Sequence, residues 1–295
     1  MSVKSFASVA LEKDATIRTE VAKAGLFETL RGGLKQVKID GETYHVAEGD
    51  TLLDEDQLRF YAFSREKIND ARRAGATADF AGLGTVALAE PLRDALVAVT
   101  QGGKIVRWKP GVGLTYRVVK NTFTSAANYA LVVDQMKKAT DAWEDTCGVD
   151  FEHRADLDAA PGVGPAGALF SVRELDTGGA FIAAAFFPND PVDRRRVIID
   201  PSFYTTGFDK TGVLRHELGH VLGFRHEHIR SNAPPACPDE PLFDTANLTL
   251  YDPQSVMHYF CGGLGSRELK ITAVDRRGSQ MVYGPPLKNM LLIEA

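Results

Sequence analysis

No apolar run in this 295-residue chain approaches the roughly 20 residues that a helix needs to cross a bilayer. A membrane span is therefore not expected. The first residues, MSVKSFASVALEKDATIRTE, have no sustained apolar core and no small-residue cleavage site, so no standard secretory leader is read there. Export by another route, or numbering that starts after a removed leader, stays open. A basic excess is also missing. Lys and Arg number 34 against 39 Asp and Glu, the net charge is −5 and the pI about 5.8. Without a positive field to hold a polyanion, nucleic-acid binding is not expected. Cysteine is scarce: Cys147, Cys237 and Cys261 cannot form a fully paired framework. A Cys237–Cys261 bridge would close a loop of about 24 residues and contribute on the order of 3 kcal/mol. The alternative is three buried or free thiols. Repeats and low-complexity tracts are absent too. Hydrophobic residues at 44% and charged residues at 25% are ordinary for a globular chain long enough for one large core or two modest ones.

The N-terminal third is rich in charge and weak in pattern. QVKIDGETYHVAEGD reads as a strand pair with its turn at Asp40-Gly41, and helical stretches follow near 55–74 and 87–99. Gln101-Gly102-Gly103 marks a boundary. The chain thus divides into an N-terminal region over 1–103, a main domain over 104–286 and a tail over 287–295. In the main domain Leu114–Val119 reads as a strand. A helix follows, with Thr124 or Ser125 as cap, an apolar face on Tyr129, Val132, Met136, Ala139, Trp143 and Cys147, and Gly148 as its stop. Strands are read at Val149–Glu152, Ala168–Arg173, 178–188 and 195–200. A second helix starts near Thr211 and ends at Gly223, and a last one covers Ala273–Val282. This order predicts an α+β fold, a twisted sheet packed on two long helices.

Five of the seven histidines fall between 216 and 258: His216, His220, His226, His228 and His258. The run HELGHVLGFRH carries the chemistry. Positions i and i+4 share a helix face, so His216 and His220 can aim two imidazoles at one point. A helix continued to 226 would carry the third away. Gly223 can take a left-handed conformation, turn the chain and bring His226 back. Three neutral imidazoles leave a fourth position for water, the mark of a catalytic zinc rather than a structural one. One Zn2+ is expected. Glu217 would lie beside the metal, take a proton from the bound water and pass it to the leaving amine. The competing reading is a buried helix whose histidines satisfy hydrogen bonds alone.

HELGHVLGFRHEH together with SVMHY at 255–259 resembles the metzincin clan of zinc peptidases, and within it the astacin family. Glu227 directly after the third histidine, Tyr259 two places after Met257, and the stretch YDPQSVMHY carry the astacin likeness. ITAVDRRGSQMVYG is as similar to matrixins, a sister family. The resemblance covers about 104–286 and implies a zincin fold. That fold has a mostly parallel sheet with an antiparallel edge strand and a cleft above the zinc helix. It implies Met257 as an apolar floor beneath the metal. Tyr259 would be a fifth ligand or a donor to the oxyanion, unless it is an ordinary core tyrosine. Glu227 would pair with a new terminal amine if the chain is cut near 104, or else with another group. His228 and His258 would pack rather than ligate. GGAFIAAAFFP at 178–188 resembles the edge strand along which a peptide or protein substrate lies extended; an ordinary buried strand is the alternative. Cys147 falls at a family cysteine position without its C-terminal partner. Ala47-Glu48-Gly49-Asp50 is similar to the propeptide motif whose aspartate binds zinc in the latent form, with Ala47 in place of the aromatic residue. Asp50 is therefore a candidate latent-form ligand, or else part of a solvated turn.

The function expected is a monomeric metalloendopeptidase made as a zymogen and working outside the cell, with a cytoplasmic or non-classically delivered enzyme as the other placement. A catalytically silent zinc module that binds peptides is the alternative function.

Overall fold

The computed structural model describes residues 25–62, 96–229, 237 and 245–287. A short helix α1 (Leu26–Gly33) leads into a three-stranded antiparallel sheet of β1 (Lys35–Ile39), β2 (Glu42–Ala47) and β3 (Thr51–Leu53). Ile39 pairs with Glu42, so Asp40 and Gly41 form the two-residue turn, both at positive φ (54° and 86°). That geometry matches the twist of a hairpin and suits an Asp-Gly pair. Helical residues 55–62 follow, and the rest of the expected 55–74 helix lies outside the described residues.

The expected helix over 87–99 is corrected where it is described. Val97–Gln101 is a strand, β4, antiparallel to β5 (Lys104–Ile105) across the turn at Gly102-Gly103. Two valines and a threonine near its centre favour the extended pleat. β4 also pairs with β11 (Phe224–Arg225) and β12 (Thr245–Asn247). Leu96 and Ala98 sit in the same apolar core as the main helices, so packing runs unbroken through the 103/104 position.

The central sheet has the order β7-β6-β8-β10-β9, built from β6 (Gly113–Val118), β7 (Asp150–His153), β8 (Phe170–Glu174), β9 (Ala183–Ala184) and β10 (Arg196–Ile199). Its pairings are parallel except that of β10 with the edge strand β9. One face, with Tyr116, Val118, Phe170, Val172, Val197 and Ile199, packs on α2 (Ala126–Glu144) and α3 (Lys210–Val221). The helices meet where Trp143 Nε1 donates to Arg215 O at 2.9 Å. Ser125 caps α2 through Asn128 N. Gly148 is not its stop: α2 ends at Glu144, and Gly148 instead lets the backbone pass the Tyr283 carbonyl, which a Cβ would strike.

On the other face of the sheet, the β1–β2 hairpin covers Ile198 and Ala184 with Val37, Ile39, Tyr44 and Val46. Arg173, nearly buried in the middle of β8, forks onto Asp40 at 2.9 and 2.6 Å. The buried Arg196 donates to Tyr44 Oη at 2.9 Å. Arg194 pairs with Asp54. Elsewhere the fully buried Arg117 binds the carbonyls of Leu157, Ala160, Gly162 and Gly164 at 2.6–2.9 Å, holding that glycine-rich loop from inside. Cys237 and Cys261 are bridged, whereas Cys147 is a buried free thiol whose pKa burial pushes up to about 12.

Candidate active site

Asp209 starts α3 by accepting from Gly212 N at 2.6 Å. The helix then presents His216 and His220 one turn apart. His216 Nδ1 bonds to Val256 O and His220 Nδ1 to Phe224 O, each at 2.8 Å. With both Nδ1 atoms engaged, both Nε2 atoms are aimed at a common point. α3 ends at Val221, and Gly223 follows at φ +91°. A Cβ there would come to 2.7 Å from Val106 O, so both the turn and the close approach require glycine. After β11 the fully buried His226 returns, its Nε2 3.2 Å from that of His220.

Asp50 completes the group. Its carboxylate oxygens lie 3.3 Å from His216 Nε2 and 3.2 Å from His226 Nε2. Ligand atoms of the four residues all fall within 4.8 Å of one another. Asp50 is thus buried among the histidines rather than in a solvated turn. Burial by itself would raise its pKa. The charge on His226 and the close imidazoles of His216 and His220 outweigh that and hold the carboxyl well below the usual range. His216 Nε2 and Asp50 Oδ1 are buried and have no hydrogen-bond partner. Orphaned nitrogen and oxygen donors converging at this spacing fit a Zn2+ ion. Burial pushes His220 well below its ordinary pKa, keeping it in the neutral form that ligates.

Glu217 is buried next to the group, with Oε2 lacking a hydrogen-bond partner. Burial, and then the charge of Asp50, push its carboxyl well above the ordinary value. Tyr259 packs its ring on His226 and His228 at centroid distances of 4.4 and 4.5 Å. Its hydroxyl reaches over Gly49, where a Cβ would stand 2.8 Å away. Met257 is fully buried and presses on α3 at Gly219, where any Cβ would collide with its sulfur. Glu227 Oε1 accepts from Asp252 N at 3.0 Å, and its own N–H donates to Met257 O at 2.9 Å. These bonds tie the third histidine to the turn that carries Met257. His228 and His258 lie outside the metal-holding group; His258 bonds to Tyr251 Oη at 2.7 Å.

Three supports were not read from the sequence. Asp275 accepts from Ser255 Oγ, Val256 N and Thr272 N, and so fixes the carbonyl that orients His216. Its signal was Thr272-x-x-Asp275, a capping pair at the start of α4 (Ala273–Tyr283). The second support is Gly219 in mid-helix, which leaves room for the Met257 sulfur. The third is Glu48, at φ 56° just before Asp50, which pairs with Arg225 at 3.1 Å. Beside Glu217 opens a cavity of about 550 Å3 with apolar walls that include Phe181, Ile182, Phe208, Val213, Phe260 and Leu269.

The family model described as matrixin matches residues 107–233. Macrophage metalloelastase of Rattus norvegicus is 26% identical over 183 residues, covering 60% of this chain and 33% of that protein. Astacin-like metalloendopeptidase of Coturnix japonica is 47% identical over 62 residues, covering 16% of this chain and 15% of that protein. The chain therefore spans a third or less of the length of these relatives. Among solved structures, myroilysin aligns with a TM-score of 0.45 at 17% identity, covering 63% of this chain and 98% of that one. High choriolytic enzyme 1, a hatching enzyme zinc-protease from Oryzias latipes, aligns at 0.42 with 20% identity, covering 61% of this chain and 94% of that one. With the His216-Glu217…His220…His226 run and the Met257 turn, the sequence matches liken the chain to the metzincin zinc metallopeptidases. Within that clan it carries likeness to both matrixins and astacins and is assigned to neither branch.

Proposed function

We propose that the chain is a zinc-dependent metalloendopeptidase, latent in the form described here, with His216, His220 and His226 as ligands and Glu217 as the proton carrier. The observation that carries this is the convergence of three buried imidazoles beside the buried carboxyl of Glu217. A zinc ion held by these three histidines would supply a Lewis acid for the scissile carbonyl and bring the pKa of a water molecule toward neutrality. Glu217 takes that proton and hands it to the leaving amine. Tyr259 offers its hydroxyl to the developing oxyanion or to the metal. Met257 and Gly223 shape the site, and Glu227 braces it. Asp50, set between His216 and His226, would take the place of a nucleophilic water in the latent form, while Gly49 lies under the Tyr259 hydroxyl.

The substrate is a peptide or protein segment lying extended along 178–188, paired antiparallel to the edge at Ala183–Ala184. One apolar side chain fits the cavity beside Glu217. No helix among the described residues is long and apolar enough to cross a membrane. The Cys237–Cys261 bridge supports an oxidising, extracellular workplace.

The decisive experiment uses Asp50→Ala protein and an unfolded protein substrate. A chelator abolishes cleavage, and the added Glu217→Ala change lowers kcat by about 10²–10⁴-fold while the metal content stays at that of the parent. Stoichiometric zinc and peptide binding without turnover would instead make this a silent binding module. No gain of activity on Asp50→Ala, in an otherwise inactive full chain, removes the latency role.

A further inference from the structure

The bend between the second and third histidines is held from outside the zinc helix. A helix leaves its last four carbonyls without partners inside itself. Here Val221 O accepts from Trp108 Nε1 at 2.8 Å, Leu222 O from Tyr283 Oη at 2.7 Å and Gly223 O from Val99 N at 2.8 Å. Phe224 and Arg225 then pair with Ala98 and Val97, and the next residue is His226. Phe224 O also receives His220 Nδ1, so the same short strand orients two of the three histidines. Most of these contacts come from one stretch, residues 96–108, whose Leu96 and Ala98 are anchored in the main core.

Building on the metallopeptidase reading, we infer that residues 96–108 form a positioning clamp for the metal site, acting through the Gly223–Arg225 bend, and that the cut which activates the enzyme falls before Leu96. A cut near 104 would open the β4–β5 turn and release the strand that holds the bend. The mature enzyme keeps β4.

The test has two arms. In the full chain, Trp108→Phe keeps the ring and removes the donor to Val221 O. Zinc affinity measured by competition with a chromogenic chelator falls about 10–100-fold, the range seen when groups that orient metal ligands are lost. A residue with a merely structural role would lower the melting temperature and leave zinc affinity as it was; that result overturns the clamp. If this variant does not fold, the second arm decides. N-terminal sequencing and intact mass of the active species should give a chain that starts after Asp50 and no later than Leu96. Full activity from a species lacking 96–103, covalently or as a retained peptide, overturns the inference. Failure of the unaltered chain to bind zinc would defeat the metallopeptidase reading itself. Normal zinc binding with an unchanged Trp108→Phe affinity defeats the clamp alone.

Discussion

Gly219 lies between the two helical histidines His216 and His220 in the chain, in a position where glycine costs about 0.5–1 kcal/mol relative to alanine. The expense has a reason: the Met257 sulfur occupies the space a Cβ would take. Gly219→Ala is expected to destabilise the protein by about 1–3 kcal/mol, as overpacked cores do, measured by denaturant unfolding. The shift should ease when Met257 is also shortened to Ala. This residue shows where reading the sequence reaches its limit. His216, Glu217 and His220 were legible because a helix fixes their relation locally. His226 was legible because a glycine in the intervening bend explains itself. The purpose of Gly219 depends on a methionine on a different element, and no local period encodes that contact. Asp275 was missed on the same ground. Its capping pattern is visible, but its bonds to Ser255 and Val256 belong to the tertiary fold.

Among the elements, the β1–β2 hairpin was legible in itself, since Asp-Gly between two strands specifies its own turn. Where it docks was not. The clue lay in β8 and β10, where core residues alternate with Arg173, Arg196 and Ile198, marking a second face that needs a cover. Once docked, the hairpin delivers the Glu48-Gly49-Asp50 turn to the histidines, with Gly49 at φ +93° against Tyr259. Gly49→Ala adds strain and a collision at that point. It is expected to shift Asp50 and raise the basal cleavage rate of the full chain at unchanged zinc content, assayed with an unfolded protein substrate. A rate equal to the parent would mean the turn does not govern latency. β4 reads from its local sequence as the end of a helix, yet it is a strand. Its alternation is short, and the partners that make it a strand, β11 and β12, lie far along the chain.

For the whole molecule, the mixed sheet on two long helices follows the order of elements read from the sequence, the antiparallel edge strand is what the family resemblance implied, and the order of strands across the sheet is not encoded in any local pattern. Three cysteines allow several outcomes, so the sequence alone does not fix the bridge. Reducing Cys237–Cys261 is expected to lower stability by about 3 kcal/mol, seen as a lower denaturation midpoint in reductant. A Cys147→Ser change should leave that reductant effect intact, because the Cys147 thiol is buried apart from the bridge. The loop around Arg117 adds a last consequence. Backbone oxygens gathered as they are at Leu157, Ala160, Gly162 and Gly164 are the kind of cradle that calcium fills in other proteins. Here a guanidinium grown from the chain's own strand does that job, and it cannot be titrated away by a sequestering agent. Stripping divalent ions therefore leaves this part of the scaffold standing.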